Sequence, residues 1–402
     1  MANNLVYGIK DKPKFSQLIV FAIQQLLAIM AATILVPAII GHGMSQSAAL
    51  FGAGVGTIIY QLFTKFKSPV FLGSSFAFIN SMLAAFAGAV SSSAGYAGII
   101  IGALFAGLVY VVIAIIVKFA GVAWINKLMP TVVIGPTVAL IGLSLAVNAV
   151  NDLSAGKVMI EAITPVIKDN AIVDEVSMVS ACSPYVAMIC GIITLFAVFM
   201  FSVYGKKMAK LIPFVLGILV GYAAASIFTV IGILTDNIAL QVINFAAFKE
   251  MTIFAIPDFA FVEALKGVKE IDASFIATVA VAYVPVAFVV FAEHIADHKN
   301  LSSIIDQDLL EEPGLHRTLL GDGVGSVAGA FFGGCPNTTY GESVGCVAIT
   351  RNASVVTITT TAIMCMVISF FGPFVTLLSS IPNCVMGGVC IALYGFIAVS
   401  CL

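Results

Sequence analysis

Two short stretches hold most of the side chains that could do chemistry. In "FAEHIADHKN", Glu293 and Asp297 are four residues apart, and so are His294 and His298. On a helix that spacing puts each pair on one face, one turn apart, with the two faces adjacent. In "GGCPNTTYGESVGCVAIT", Pro336, Asn337, Thr338, Thr339 and the carboxylate of Glu342 lie between apolar runs. An ionised carboxylate only accepts hydrogen bonds, whereas a protonated one also donates. Carboxylates held away from water therefore suit two tasks, gripping the N–H groups of a ligand and carrying a proton. Two histidines with two carboxylates could instead hold zinc. The His-Glu-x-x-His order is missing, however, and no third histidine lies nearby in the apolar segments, so no metal or cofactor is expected. Asp297, His298 and Lys299 have a plainer reading as markers of a membrane interface.

The surroundings decide what those groups face. Of 402 residues, 61% are hydrophobic and only 9% charged, with a mean hydropathy of +1.12. Soluble domains carry about 25% charged residues, so this is an integral membrane protein. The net charge of −2 is uninformative about nucleic acid, but no basic run of the kind that tracks phosphates appears, so no nucleic-acid partner is expected. The eight cysteines include no Cys-x-x-Cys pair and read as small buried hydrophobes. No signal-peptide pattern precedes the first apolar run, so the N-terminus is read as a cytoplasmic tail.

A spanning helix needs about 20 apolar residues. Twelve candidates lie near 15–40, 47–64, 71–88, 96–118, 131–150, 184–203, 211–234, 273–296, 318–332, 338–350, 353–374 and 383–400. If the chain starts inside, thirteen Lys and Arg residues fall on the cytoplasmic side. Lys157, Lys168, Lys249, Lys266 and Lys269 fall opposite. Both ends are then cytoplasmic.

The third and tenth candidates are short and interrupted by polar residues and glycine. They lie seven crossings apart, as do "PTVVIG" from Pro130 and "PNCVMG" from Pro382, which open the fifth and twelfth. An odd offset gives the two copies opposite orientations, which makes an inverted repeat with paired broken spans. Irregular backbone survives at membrane depth only where it faces protein or a water-filled cavity. Pro69 and Pro336 start such segments, Gly73 and Gly341 permit them, and the half-helices that follow aim free N–H groups at a ligand. The polar stretch is therefore expected to line a midplane cavity rather than a surface loop. The second copy stops after its fifth span, so two spans are expected to be lacking.

"SSFAF" (Ser74–Phe78), "AEHIADH" (Ala292–His298), "EEPGLHR" (Glu311–Arg317) and "PNTTYGE" (Pro336–Glu342) together resemble the bacterial uracil permeases of the nucleobase–ascorbate transporter family. The resemblance implies an all-α polytopic fold of two inverted seven-span repeats, with short strands in the broken third and tenth spans. It implies core halves at 1–128 and 236–378 and gate halves at 129–235 and 379–402. It also implies proton-coupled uptake of uracil by alternating access across a bacterial plasma membrane, with no enzyme activity and possible dimerisation through the gate. Carried over position by position, Glu293 and Glu342 would accept the ring N–H groups. Phe76 and Gly341 would offer backbone groups to the carbonyls, Phe76 and Tyr340 would pack on the ring, and Ser75 and Ala32 would line the site. Glu293, Asp297 and His294 would handle the proton. Two positions depart from the family pattern. Ser343 stands where asparagine is usual, and Gln24–Gln25 where Gln-His is usual. Alternatives are a carrier of another nucleobase such as xanthine, a transport-inactive nucleobase-binding protein, and a sulfate-type anion carrier.

Overall fold

A bilayer offers backbone N–H and C=O groups no partners but each other, so apolar segments become helices. The computed structural model describes residues 5–121, 124, 136, 143, 146–168, 171–206, 209, 212–249 and 251–400, apart from the side chains of 148, 161–168, 171–178 and 396–400. Its elements begin with α1 (Phe15–Ile40), α2 (Gln46–Phe63), β1 (Leu72–Ser74), α3 (Ile79–Ala87) and α4 (Ser92–Ala120). Next come α5 (Ala146–Asp152), β2 (Met159–Lys168), β3 (Ala171–Ser180), α6 (Pro184–Tyr204) and α7 (Pro213–Leu234). The remainder is α8 (Ala260–Gly267), α9 (Ala273–Ile305), α10 (Leu315–Gly333), β4 (Asn337–Thr339), α11 (Gly341–Thr350), α12 (Val355–Ile368), α13 (Gly372–Ser380) and α14 (Asn383–Ser400). Among the described residues, α1, α4, α6, α7 and α9 are each long and apolar enough to cross a membrane. Large apolar side chains stand exposed along them, such as Leu108, Val112 and Phe119 on α4 and Phe196, Phe199 and Val203 on α6. Water would penalise that surface; lipid does not.

The fold departs from the sequence expectations in three places. The chain is mostly helical but not all-α. Besides the short strands β1 and β4, β2 and β3 form an antiparallel hairpin with Met159 opposite Ser180 and Lys168 opposite Ala171. Ile160, Ile163, Val166, Ile172, Val173 and Val176 make these strands rich in β-branched residues, in a stretch where no helical pattern competes. The apolar run near 353–374 is not one helix. It stops at Ile368 and resumes at Gly372, where Gly372 N–H donates to Ile253 O at 2.9 Å. The next helix pair, α13 and the first part of α14, is bent by 80° at the break beside Pro382 and passes as a sixth span only when taken together. Most of the fifth candidate span, with its Pro130 motif, lies outside the described residues.

The chain divides into two compact units, one of Met1–Ile141, Thr252–Val375 and Ile397–Leu402, the other of Gly142–Met251 and Thr376–Phe396. In the second, α6 and α7 pack through small residues. A Cβ on Gly217 would meet Val198, and one on Gly221 would meet the Thr194 hydroxyl. Thr229 ties the following loop to α7, accepting from both Val242 N and Ile243 N at 3.0 Å.

In the first unit the two interrupted segments join. β1 and β4 pair antiparallel, with Leu72 opposite Thr339, Gly73 opposite Thr338 and Ser74 opposite Asn337, and Ser75 N–H extends the ladder to Pro336 O at 2.9 Å. Behind this ribbon α2 and α10 approach to backbone contact. A Cβ on Gly52 would lie 2.8 Å from Gly329 O, and one on Gly333 would lie 2.6 Å from Ala49 Cα. Such small-residue faces drive helix association in lipid. The same glycines leave a niche for the Asn337 amide. It donates to Gly52 O at 3.0 Å and lies where a Cβ on Gly56 or Gly329 would clash at 2.3 Å. At one end of the unit, residues 5–11 strap along the turn after α11. Val6 N–H donates to Arg351 O at 2.8 Å and Ala353 N–H to Tyr7 O at 2.9 Å, while Leu5 and Ile9 cover the cluster of Tyr60, Val70, Val344 and Val347. Nearby, Lys67 pairs with Glu312 at 2.6 Å and holds that exposed carboxyl below its usual range.

Backbone-to-backbone packing of this kind leaves no room for a methyl group. Gly52→Ala should lower stability by about 1–3 kcal/mol through overpacking. Gly345→Ala, with nothing within 4 Å of the added carbon, should not. Thermal unfolding of the detergent-purified variants measures this, and equal melting temperatures for the two would refute the packing argument.

Candidate functional site

α9 is capped at its start by Asp272, whose carboxylate accepts from Phe275 N at 2.7 Å, and runs 33 residues. Its length carries both polar strips of "AEHIADH" into the interior of the first unit. Glu293 and Asp297 are half-buried on one strip, whereas His294 and His298 are fully buried on the next. The carboxylates thus face an opening and the histidines face protein. His298 is not an interfacial residue.

The ribbon delivers the other half of the site. Thr339 donates its hydroxyl to Asp297 Oδ2 at 2.7 Å, joining β4 to α9. Tyr340 donates its hydroxyl to Ser74 O at 2.7 Å, and its ring lies flat on Gly73, where any Cβ would fall 2.3 Å from the ring. This is the close approach that requires a glycine in β1. α11 then begins at Gly341 with no side-chain cap, so its first-turn N–H groups are left to the site. Glu342, in that first turn, is half-buried, and its carboxylate accepts from its own backbone N–H. Asp297 Oδ1 lies 3.8 Å from where a Cβ of Gly341 would stand.

Glu293, Asp297, Glu342 and Tyr340 therefore share one corner. Glu293 lies in the fields of Asp297 and Glu342, and the Tyr340 phenol in those of both glutamates. Ala32 is buried on α1. Ser75 and Phe76 are buried at the end of β1, and Ser75 Oγ has no protein partner.

His294 points away from this corner. Its Nδ1 meets Asp322 Oδ2 of α10 at 2.7 Å, and its Nε2 meets Thr318 Oγ1 at 3.0 Å. Thr318 also donates to Leu315 O at 3.0 Å, so Nε2–H donates to Thr318 while Nδ1 pairs with the Asp322 carboxyl. His298 Nδ1 must donate to His294 O at 2.7 Å, leaving Nε2 to accept from Tyr60 at 2.7 Å while Tyr60 accepts from Ser68 at 2.8 Å. A continuous polar chain thus runs behind the carboxylates from Asp322 to Ser68.

Asp322, Thr318 and Tyr60 were missed by the sequence reading. Asp322 was findable, because it is an acidic residue within an apolar helix, the same signal that singled out Glu293. Tyr60 and Thr318 carry no such signal. Among the described residues no three His, Cys, Asp or Glu side chains converge as a metal site, and the described cysteines are free and buried.

Comparison with known proteins places this arrangement. A family model described as "Permease family" matches residues 16–402. A uracil permease of Bacillus caldolyticus is 37% identical over 99% of this chain and 82% of its own. One of Bacillus subtilis is 36% identical over 98% and 81%, and one of Escherichia coli K12 is 34% identical over 98% and 80%. In fold the chain is similar to the transmembrane domain of the cyanobacterial bicarbonate transporter BicA. The TM-score is 0.67 at 16% identity, covering 97% of this chain and 91% of that one. Murine Slc26a9, an anion transporter, gives 0.62 at 11% identity over 96% and 60%. With nearly its whole length matched, the chain belongs to the Permease family and is a multi-pass membrane protein.

Proposed function

We propose that this protein carries uracil together with a proton into a bacterial cell by alternating access. The observation that carries the reading is the corner where half-buried Glu293 and Asp297 of α9 meet Glu342 at the uncapped start of α11. Uracil is a planar cyclic imide with two N–H donors beside two carbonyl acceptors. Glu293 and Glu342 match the donors; backbone N–H groups at Gly341 and Phe76 match the carbonyls. Phe76 and Tyr340 provide flat faces, with Ala32 and Ser75 lining the pocket. The relatives named as uracil permeases support this choice of substrate. The fold neighbours are anion carriers, but three carboxylates at one corner would repel an anion, so the fold alone does not set the cargo.

The proton would be handled by Glu293 and Asp297, with His294 acting from behind through α9. Carboxylates crowded within one another's fields cannot all ionise comfortably, so the corner favours taking up a proton, and a neutral ring adds no charge to it. The first unit would act as the core that carries the site, and the second as the gate against which it moves. The cytoplasmic N-terminus and dimerisation through the gate belong to the same proposal.

Glu293→Gln and Glu342→Gln each put a donor where the ligand's N–H needs an acceptor. Each should weaken uracil binding by roughly 5- to 150-fold, from about 1–3 kcal/mol for an unmade buried hydrogen bond. Calorimetric titration in detergent tests this, and parental affinity in both variants would remove the site assignment. Asp297→Asn keeps the hydrogen bond from Thr339 but loses the titrating group. Exchange of labelled uracil across proteoliposomes should survive while accumulation driven by a pH gradient is lost. Undiminished accumulation would leave Asp297 outside the coupling.

A further inference from the structure

Ser343 directly follows Glu342 in the first turn of α11, and its side chain is fully buried. Its hydroxyl oxygen accepts from the Gln25 amide at 2.6 Å and from Phe71 N–H at 3.3 Å. Gln25, 3% exposed, belongs to α1, and Phe71 directly precedes β1. One oxygen thus ties α1, β1 and α11 together. Gln25 and Ala32 are seven residues apart and share a face of α1. α1 therefore holds the first turn of α11 directly beside Glu342.

The paired ribbon and Tyr340 hold the chain up to the start of α11, and Ser343 holds its first turn. Tyr340 gives no side-chain cap, and Gly341 brings no side chain of its own. A hydrogen-bonding site tolerates displacement of about 0.5 Å before its geometry fails. Adjacent residues on a helix move together, so a shift of Ser343 is a shift of Glu342. The Gln25 N–H is buried, and an unmade bond there would be costly, which keeps the tie closed.

We propose that Gln25 is a positioning residue for substrate recognition, setting through the Ser343 hydroxyl the placement of Glu342 against the ring N–H it accepts. The proposal rests on Glu342 being a substrate acceptor. The test is calorimetric titration of the full chain in detergent with uracil and with its two N-methyl derivatives, alongside ligand-free melting temperatures. Gln25→Leu, which keeps bulk but loses the donor, and Ser343→Ala should each bind uracil about tenfold more weakly. The double variant should be no weaker than the worse single, as expected for two ends of one interaction. Ser343→Thr, which keeps the oxygen, should bind like the parent. Gln25→Leu should also narrow the preference for uracil over whichever N-methyl derivative Glu342→Gln ceases to discriminate. Lowered melting with unchanged affinity and unchanged preference would overturn the proposal, leaving the tie purely structural. Lost affinity in Glu342→Gln with none in Gln25→Leu would overturn this proposal alone. Parental affinity in Glu342→Gln would overturn the reading beneath it. Should Gln25→Leu fail to fold, the contrast between Ser343→Ala and Ser343→Thr decides.

Discussion

The fold depends on one constraint: a helix broken inside a bilayer exposes N–H and C=O groups that lipid does not satisfy. Here the two broken segments satisfy each other. Three residue pairs between Leu72–Ser74 and Asn337–Thr339 replace the missing helical bonds, and the Asn337 amide, seated among glycines of α2 and α10, anchors the ribbon from behind. Every notable feature of the site follows from that pairing. The ribbon ends beside α9, so Thr339 meets Asp297. It turns into α11 without a cap, so Glu342 and free N–H groups come to the same place.

Within this frame, α9 separates two kinds of polar group by a rotation of 100° per residue. The carboxylates of Glu293 and Asp297 remain half-open, while His294 and His298 are sealed into protein partners. A single helix can thus present an exchangeable face and hold a fixed polar chain behind it. The "PNTTYGE" block divides in the same way. Asn337 and Tyr340 hold the backbone in place, Thr339 orients a carboxylate, and Gly341 and Glu342 open the next helix beside it.

Much of this was legible in the sequence, for reasons that differ by residue. Glu293 and Asp297 stood out because charge is rare in apolar helices, and their four-residue spacing fixed a shared face. The broken segments stood out through Pro69, Gly73, Pro336 and Gly341. The resemblance puts His294 with Asp297 at the proton, whereas its ring turns to Asp322, because neighbours on a helix point in different directions. Asp322 carries the same signal of an acid in an apolar helix, although the glycines around it read as packing. The hairpin of β2 and β3 was overlooked because attention to 20-residue apolar runs treats everything between them as loop. The break at Ile368 was missed because hydropathy measures composition and does not sense where a Gly–Pro step ends a helix.

The strap of residues 5–11 has a consequence in time rather than in space. Its Asp11 carbonyl accepts from Ser354, 343 positions further along the chain. At about 5–20 residues per second, synthesis of that stretch takes roughly 17–70 s. For that interval the strap lacks its partners at Arg351, Ala353 and Ser354, although α1 and α2 are already made. Its closure over Val344 and Val347 is therefore among the last events of assembly, and an apolar stretch containing Leu5 and Ile9 stays uncovered on that side until α11 arrives. A nascent chain stalled before Arg351 would present that apolar stretch to the cell's quality-control machinery, whereas the finished protein keeps it covered.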